Sequence, residues 1–102
     1  MGVGDKMVQQ YKIGKVNTKV YNKNGFFCVK YHSTEIIKFN KDMIILNSGG
    51  WYTNTTKNRI NQTCNQYDLC LNVFQKAYDW FVEYNNKIIP FKDNMIIKRG
   101  DA

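Results

Sequence analysis

The hydrophobic period of this chain changes across Gly49-Gly50. Upstream, apolar residues recur at every second position. Phe27, Val29 and Tyr31 share one face against Cys28, Lys30 and His32, followed by Ile37 with Phe39 and Ile44 with Leu46. Downstream from Thr56, residues Ile60, Thr63, Cys64 and Tyr67 fall on one helical stripe. A period of two requires extended backbone and a period near 3.6 requires a helix, so strands come first and a helix follows. Glycine, lacking Cβ, reaches backbone angles closed to other residues, which places the break at the pair.

Turn chemistry divides the first part. Val8 to Val20 reads as one irregular strand, and Asn22-Lys23-Asn24-Gly25 as a turn, Asn-Gly being a strong hairpin signal. Ser33-Thr34 and Lys41-Asp42 then bound strands at Glu35–Asn40 and Met43–Asn47, making a meander whose buried face needs a cover. The helix, expected at about 55–67, is the natural cover, capped by Asn54, Thr55 or Thr56. Its other face carries Asn58, Arg59, Gln62, Asn65 and Gln66, weak helix formers, so packing has to hold it.

Residues 69–84 fit two templates. Leu71, Phe74, Ala77, Tyr78 and Phe81 make a helical stripe, while Phe74, Lys76, Tyr78, Trp80, Val82 and Tyr84 alternate as in a strand. Aromatic and β-branched enrichment, with Asn85-Asn86 as a turn, favours strand. Lys87–Phe91 and an edge strand at Met95–Lys98 complete the chain. The expected fold is α+β: an antiparallel β-meander, one central helix, then C-terminal antiparallel strands completing the sheet. Residues 1–7 read as a loose tail and 8–102 as a single domain.

Composition narrows the function classes. The net charge is +7, of which residues 1–50 carry +5 as scattered lysines and residues 51–102 carry +2. That balance suits a polyanionic partner and equally suits plain solubility. Three cysteines without a Cys-x-x-Cys pair read as reduced thiols, which points to a cytosolic protein. No apolar run approaches a membrane span, and the N-terminus lacks a signal peptide's apolar core. Gly2 invites a myristoylation reading that Lys6 argues against. His32 is the one histidine and has no evident nucleophile partner. Asp79 and Glu83 read as a solvated edge, and Gly49-Gly50 lacks the lysine of a phosphate loop. The chain is therefore expected to be no enzyme, with no metal ligands and no cofactor.

Tyr31-His32, Ile36-Ile37, Phe39, Leu46-Asn47, Gly49-Gly50-Trp51, Thr53, Thr55-Thr56-Lys57, Arg59, Asn61-Gln62, Gln75-Lys76, Trp80 and Phe91 form a recognisable series. Over roughly residues 29–97 the chain resembles a family of small proteins from tailed-phage and prophage genomes. Their shared pattern runs Leu-Asn-x-Gly-Gly-Trp-x-Thr-x-Thr-Thr-Lys-x-Arg-x-Asn-Gln. Tyr52 stands where that pattern leads one to expect arginine, and Asp68 and Cys70 where it leads one to expect glycine. The resemblance implies a viral setting and brings no activity with it.

Two surfaces compete as the site. At the helix start, Thr53, Thr55, Thr56 and Lys57 lie where backbone N–H groups are free and the helix dipole is positive, a setting that receives phosphate, with Arg59 adding charge. Trp51 and Tyr52 can stack on a base, and Asn58 and Gln62 can read base edges. The bland alternative is that Trp51 seals the core and the threonines only cap. The second surface is aromatic: Tyr78, Trp80 and Tyr84 can anchor a host protein or a second copy of the chain, or else be core. The partner is thus nucleic acid (DNA or RNA) through phosphate contacts, or a host nucleic-acid enzyme or defence protein that the chain inhibits. A virion accessory role is a third reading.

Overall fold

A computed structural model describes residues 13–99. The expected tail over 1–7 and the first part of the Val8–Val20 strand lie outside the described residues. The elements are β1 (Thr18–Lys23), β2 (Phe26–Tyr31), β3 (Thr34–Phe39), β4 (Met43–Leu46), α1 (Asn54–Gln66), β5 (Leu71–Lys76), β6 (Asp79–Tyr84), β7 (Lys87–Pro90) and β8 (Met95–Lys98). The fold is α+β, an antiparallel meander followed by one helix and C-terminal antiparallel strands, as the periodicities predict. One detail differs. The C-terminal strands do not all complete the first sheet: the orders are β1-β2-β3-β4-β8 and, separately, β5-β6-β7. The described residues cluster into two compact units, one holding Ile13, Gly14 and Thr53–Phe91, the other Lys15–Tyr52 with residues 92–99.

In the five-stranded unit, alternation sets the two faces. Val29, Ile37, Ile44, Leu46 and Ile97 point to one side and are buried. Ladder register between β2 and β3 slips after Val29↔Ile37 to Lys30↔Glu35, so β3 carries one extra residue, Ile36. Such a bulge breaks strict alternation, and Ile36 is buried beside Ile37. Met95–Lys98 is an edge strand as expected, paired to β4. Asn24 and Gly25 both have positive φ (53° and 82°), the signature of the Asn-Gly type I′ turn.

The other unit has the helix and the three-stranded sheet. Thr53 is the N-cap, its hydroxyl accepting from the Thr56 N–H at 3.2 Å, one residue before the expected candidates. The buried side of α1 is Thr56, Ile60, Thr63 and Cys64, the predicted stripe without Tyr67, which ends the helix at the surface. A cover for the first meander was the expected role; the strand that α1 grips is β5 of its own unit. Asn61 does this with both ends of its amide, Nδ2 donating to the Val73 carbonyl at 2.9 Å and Oδ1 accepting from the Val73 N–H at 2.7 Å. The side chain copies the pairing of a neighbouring strand and closes that sheet edge.

Residues 69–84 are neither one strand nor a helix but a hairpin. Leu71↔Tyr84 through Lys76↔Asp79 pair across a two-residue turn, Ala77-Tyr78, with φ of 51° and 73°. The chain reverses there, so Phe74 shares a face with Phe81 (centroids 5.7 Å apart) and not with Trp80, Val82 and Tyr84. No glycine or asparagine marks the reversal, and so the turn is invisible to turn chemistry. Asp68 and Cys70, the positions where glycine was expected, have φ of 53° and 57°, the left-handed backbone that glycine serves at least cost.

Among the described residues no helix is long and apolar enough to cross a membrane, and no group of three or more His, Cys, Asp or Glu side chains converges as a metal site.

Candidate nucleic-acid interface

The stretch nominated from sequence divides between the two units: Trp51 and Tyr52 belong to one, Thr53 to Gln62 to the other. Trp51 and Tyr52 are both more than half exposed. Beyond the cap, the helix start is largely committed to its own unit. Thr56 is buried, its Oγ1 3.2 Å from that of Thr53. Lys57 donates to Gln75 Oε1 at 3.2 Å and lies over the Trp80 ring, 5.6 Å from its centroid. Arg59 donates to Gln62 Oε1 at 3.3 Å, which also accepts from the Gly14 N–H at 3.0 Å. The guanidinium packs against Gly14 so closely that a Cβ there would collide with it. Thr55 is partly exposed, and Asn58 is exposed to water. Of the aromatic trio, Trp80 is core, edge-on to Phe91 at 5.3 Å, Tyr84 is half-buried, and Tyr78 projects from its hairpin tip, 94% exposed.

A different set converges in the five-stranded unit. On the face opposite its buried side, the registers Lys19↔Lys30, Tyr21↔Cys28, Lys23↔Phe26, Cys28↔Lys38, Lys38↔Ile45, Ile45↔Ile96 and Met43↔Lys98 align one surface. Five lysines, 19, 23, 30, 38 and 98, thus share it with Tyr21 and Phe26. Scattered along the sequence, they are gathered because their spacing is even along each strand and the turns hold register. The acidic side chain on this face, Glu35, is occupied: it accepts from the Tyr21 hydroxyl at 2.5 Å and lies 3.9 Å from Lys38. Burial first, then that hydrogen bond, pushes the Tyr21 hydroxyl up to about 12, so it stays a neutral donor. Cys28, buried beneath its ladder neighbours Tyr21 and Lys38, has its thiol raised chiefly by that burial. Over the described residues this unit carries nine basic and three acidic side chains, and the other unit four and three.

The glycine-tryptophan loop closes one end of this surface. Asp93 accepts from both the N–H and the hydroxyl of buried Ser48 at 2.7 Å. Ser48 in turn receives the Gly50 N–H on its hydroxyl and the Trp51 N–H on its carbonyl, each at 3.0 Å. Gly49 has φ of 63° and abuts Thr34, whose Oγ1 a Cβ would strike. The loop places Trp51 6.5 Å from His32, which stands 4.3 Å from Tyr31, ring centroid to centroid. His32 itself has φ of 55° in the β2–β3 turn.

The motifs carrying the sequence resemblance, Tyr-His and Gly-Gly-Trp, therefore meet in space. A family model for the Kyanoviridae Gp96 protein matches residues 3–98. The chain belongs to that family. Kyanoviridae Gp96 is a phage protein family, which bears out the viral setting. No curated protein and no solved structure matches. Within this Gp96-family chain the lysine face is not legible from the number of lysines, only from their place on paired strands. The signal was present as the even spacing of 19, 21 and 23 and of 26, 28 and 30.

Proposed function

We propose that this protein is a non-enzymatic phage accessory protein of the host cytoplasm that holds nucleic acid through phosphate contacts along the lysine face of the five-stranded sheet. The observation that carries the reading is the shared face of Lys19, Lys23, Lys30, Lys38 and Lys98, with its carboxylate already engaged. Residues two apart on a strand stand about 6.7 Å from each other and strands about 4.8 Å, so the ammonium groups form a grid on the scale of a phosphate chain. Five phosphates neutralised would give a log–log salt slope of about −3.5 for a single strand and about −4.5 for a duplex. Affinity would then fall roughly hundredfold or more between 50 and 200 mM salt. The test compares Lys19→Glu with Lys30→Glu against Lys57→Glu with Arg59→Glu in a salt titration. The first pair is expected to abolish binding and the second to leave most of it. Absence of binding at low salt, or parental affinity in the first pair, overturns the reading.

A second reading has one specific observation behind it. Tyr78 combines near-complete exposure with a left-handed backbone that costs a tyrosine about 1–2 kcal/mol. Strain kept at an exposed aromatic suits an anchor for a host protein. A stoichiometric host partner lost on Tyr78→Gly supports this; a partner retained by that variant dismisses it.

A further inference from the structure

We infer that His32 and Trp51 form a stacking ledge at the end of the lysine face and that the nucleic acid taken is single-stranded. The inference rests on the lysine-face reading and adds to it the strandedness of the ligand and a site for its bases. Trp51 is 56% exposed although burial of an indole is worth more than that of almost any other side chain. It is also held in place: the chain from Asp93 through Ser48 to the Gly50 and Trp51 amides fixes the loop, so little entropy is lost when a planar ligand settles on the ring. The next ring, His32, is presented by a turn that accepts positive φ at a non-glycine residue. Neighbouring aromatic rings, tilted 39° to one another and offered to water, match a base face, which in a duplex is hidden by its neighbours and in a single strand is open.

The ledge is continuous with the charge. A groove on the lysine face is lined by Lys30, Lys38, Ser33, Thr34 and Gly49. Ser33 follows His32 in the chain, and Gly49 lies two residues before Trp51. A strand whose phosphates follow the lysines thus reaches the rings within a nucleotide or two, with the Ser33 and Thr34 hydroxyls as neutral donors along the way. Charge complementarity selects this occupant over an apolar protein surface, since desolvating the neighbouring lysines against apolar groups is unfavourable.

Fluorescence anisotropy with a labelled 12-nucleotide single strand and its duplex, at 50 mM salt, tests the inference. Single strand is expected to bind at least tenfold more tightly. Trp51→Ala should weaken it roughly 5- to 150-fold, the fold-change of one lost stack, with duplex affinity and salt slope unchanged. Trp51→Phe should retain most of the affinity and Trp51→Leu should not, separating stacking from general apolar contact. Equal affinity for both forms overturns the ledge, as does a Trp51→Leu protein that binds like the parent. If Lys19→Glu and Lys30→Glu still abolish binding in that case, the phosphate reading survives alone. No binding of either form removes both.

Discussion

Lys19 and Lys30 are direct partners across the β1–β2 ladder, on the water-facing side of the sheet. Like charges directly opposite destabilise a sheet, and at about 6 Å in water-like surroundings the repulsion is on the order of 0.7 kcal/mol. A bound polyanion turns that cost into attraction. Lys19→Glu should therefore move stability and binding in opposite directions: thermal melting rises by a few degrees, while nucleic-acid affinity falls and the salt slope shrinks by about 0.7–0.9. Melting curves and a salt titration on one preparation check both. A variant that loses stability and affinity together would show the pair to be structural.

Asn61 is expected to be the costliest polar residue of the helix. Asn61→Leu removes both bonds to Val73 and leaves a backbone donor and acceptor at the β5 edge unpaired, at about 1–3 kcal/mol each. Asn61→Asp keeps the acceptor for the Val73 N–H and loses the donor, so it should fall between parent and Leu. Urea unfolding gives the three stabilities.

Gly25 and Gly49 separate backbone strain from collision. Both have positive φ, but a Cβ on Gly25 meets nothing within 4 Å, whereas one on Gly49 strikes Thr34. Gly25→Ala should cost about 1–2 kcal/mol, the strain of a left-handed residue, and Gly49→Ala clearly more. Adding Thr34→Gly to Gly49→Ala should recover the steric part, since the Thr34 Cβ as well as its Oγ1 lies in the way, and leave the strain of position 49. A double-mutant cycle by chemical denaturation measures that recovery.

At the Ala77-Tyr78 turn, φ of 51° and 73° are angles that an asparagine followed by a glycine adopts without strain. The double change Ala77→Asn with Tyr78→Gly should raise stability by about 1–2 kcal/mol, read as a higher denaturation midpoint.

Cysteine reactivity should follow burial. Burial pushes the Cys64 thiol up to about 12, with Cys70 nearby adding to the rise. Cys28 is buried as well, and Cys70 is exposed. Iodoacetamide at pH 8 is expected to label Cys70 and spare Cys28 and Cys64 in the folded protein. A thiol whose folded value lies above its unfolded one adds stability below the unfolded value. That stability is lost as pH climbs towards the folded one, so the protein should weaken from about pH 9 towards 12. Cys64→Ala should flatten that decline.

Sequence alone determined what local periodicity and turn chemistry can encode. It determined the α+β order of elements, the Asn-Gly and Asn-Asn hairpins, the helix within one residue at each end, the shared face of Ile37 and Phe39, and the buried sides of β4 and α1. It also located the Tyr-His and Gly-Gly-Trp motifs, and left-handed backbone at Asp68 and Cys70 explains why glycine was expected there. Tertiary structure decided which strands share a sheet, because ladder register depends on partners far along the chain. It alone turned Ala77 and Tyr78 into a hairpin tip, since pairing across β5 and β6 can force angles that neither residue favours. It alone drew lysines from five positions onto one face and brought Trp51 to His32. A surface charge pattern is a property of register and loop closure, and a one-residue slip in any strand would have dispersed it.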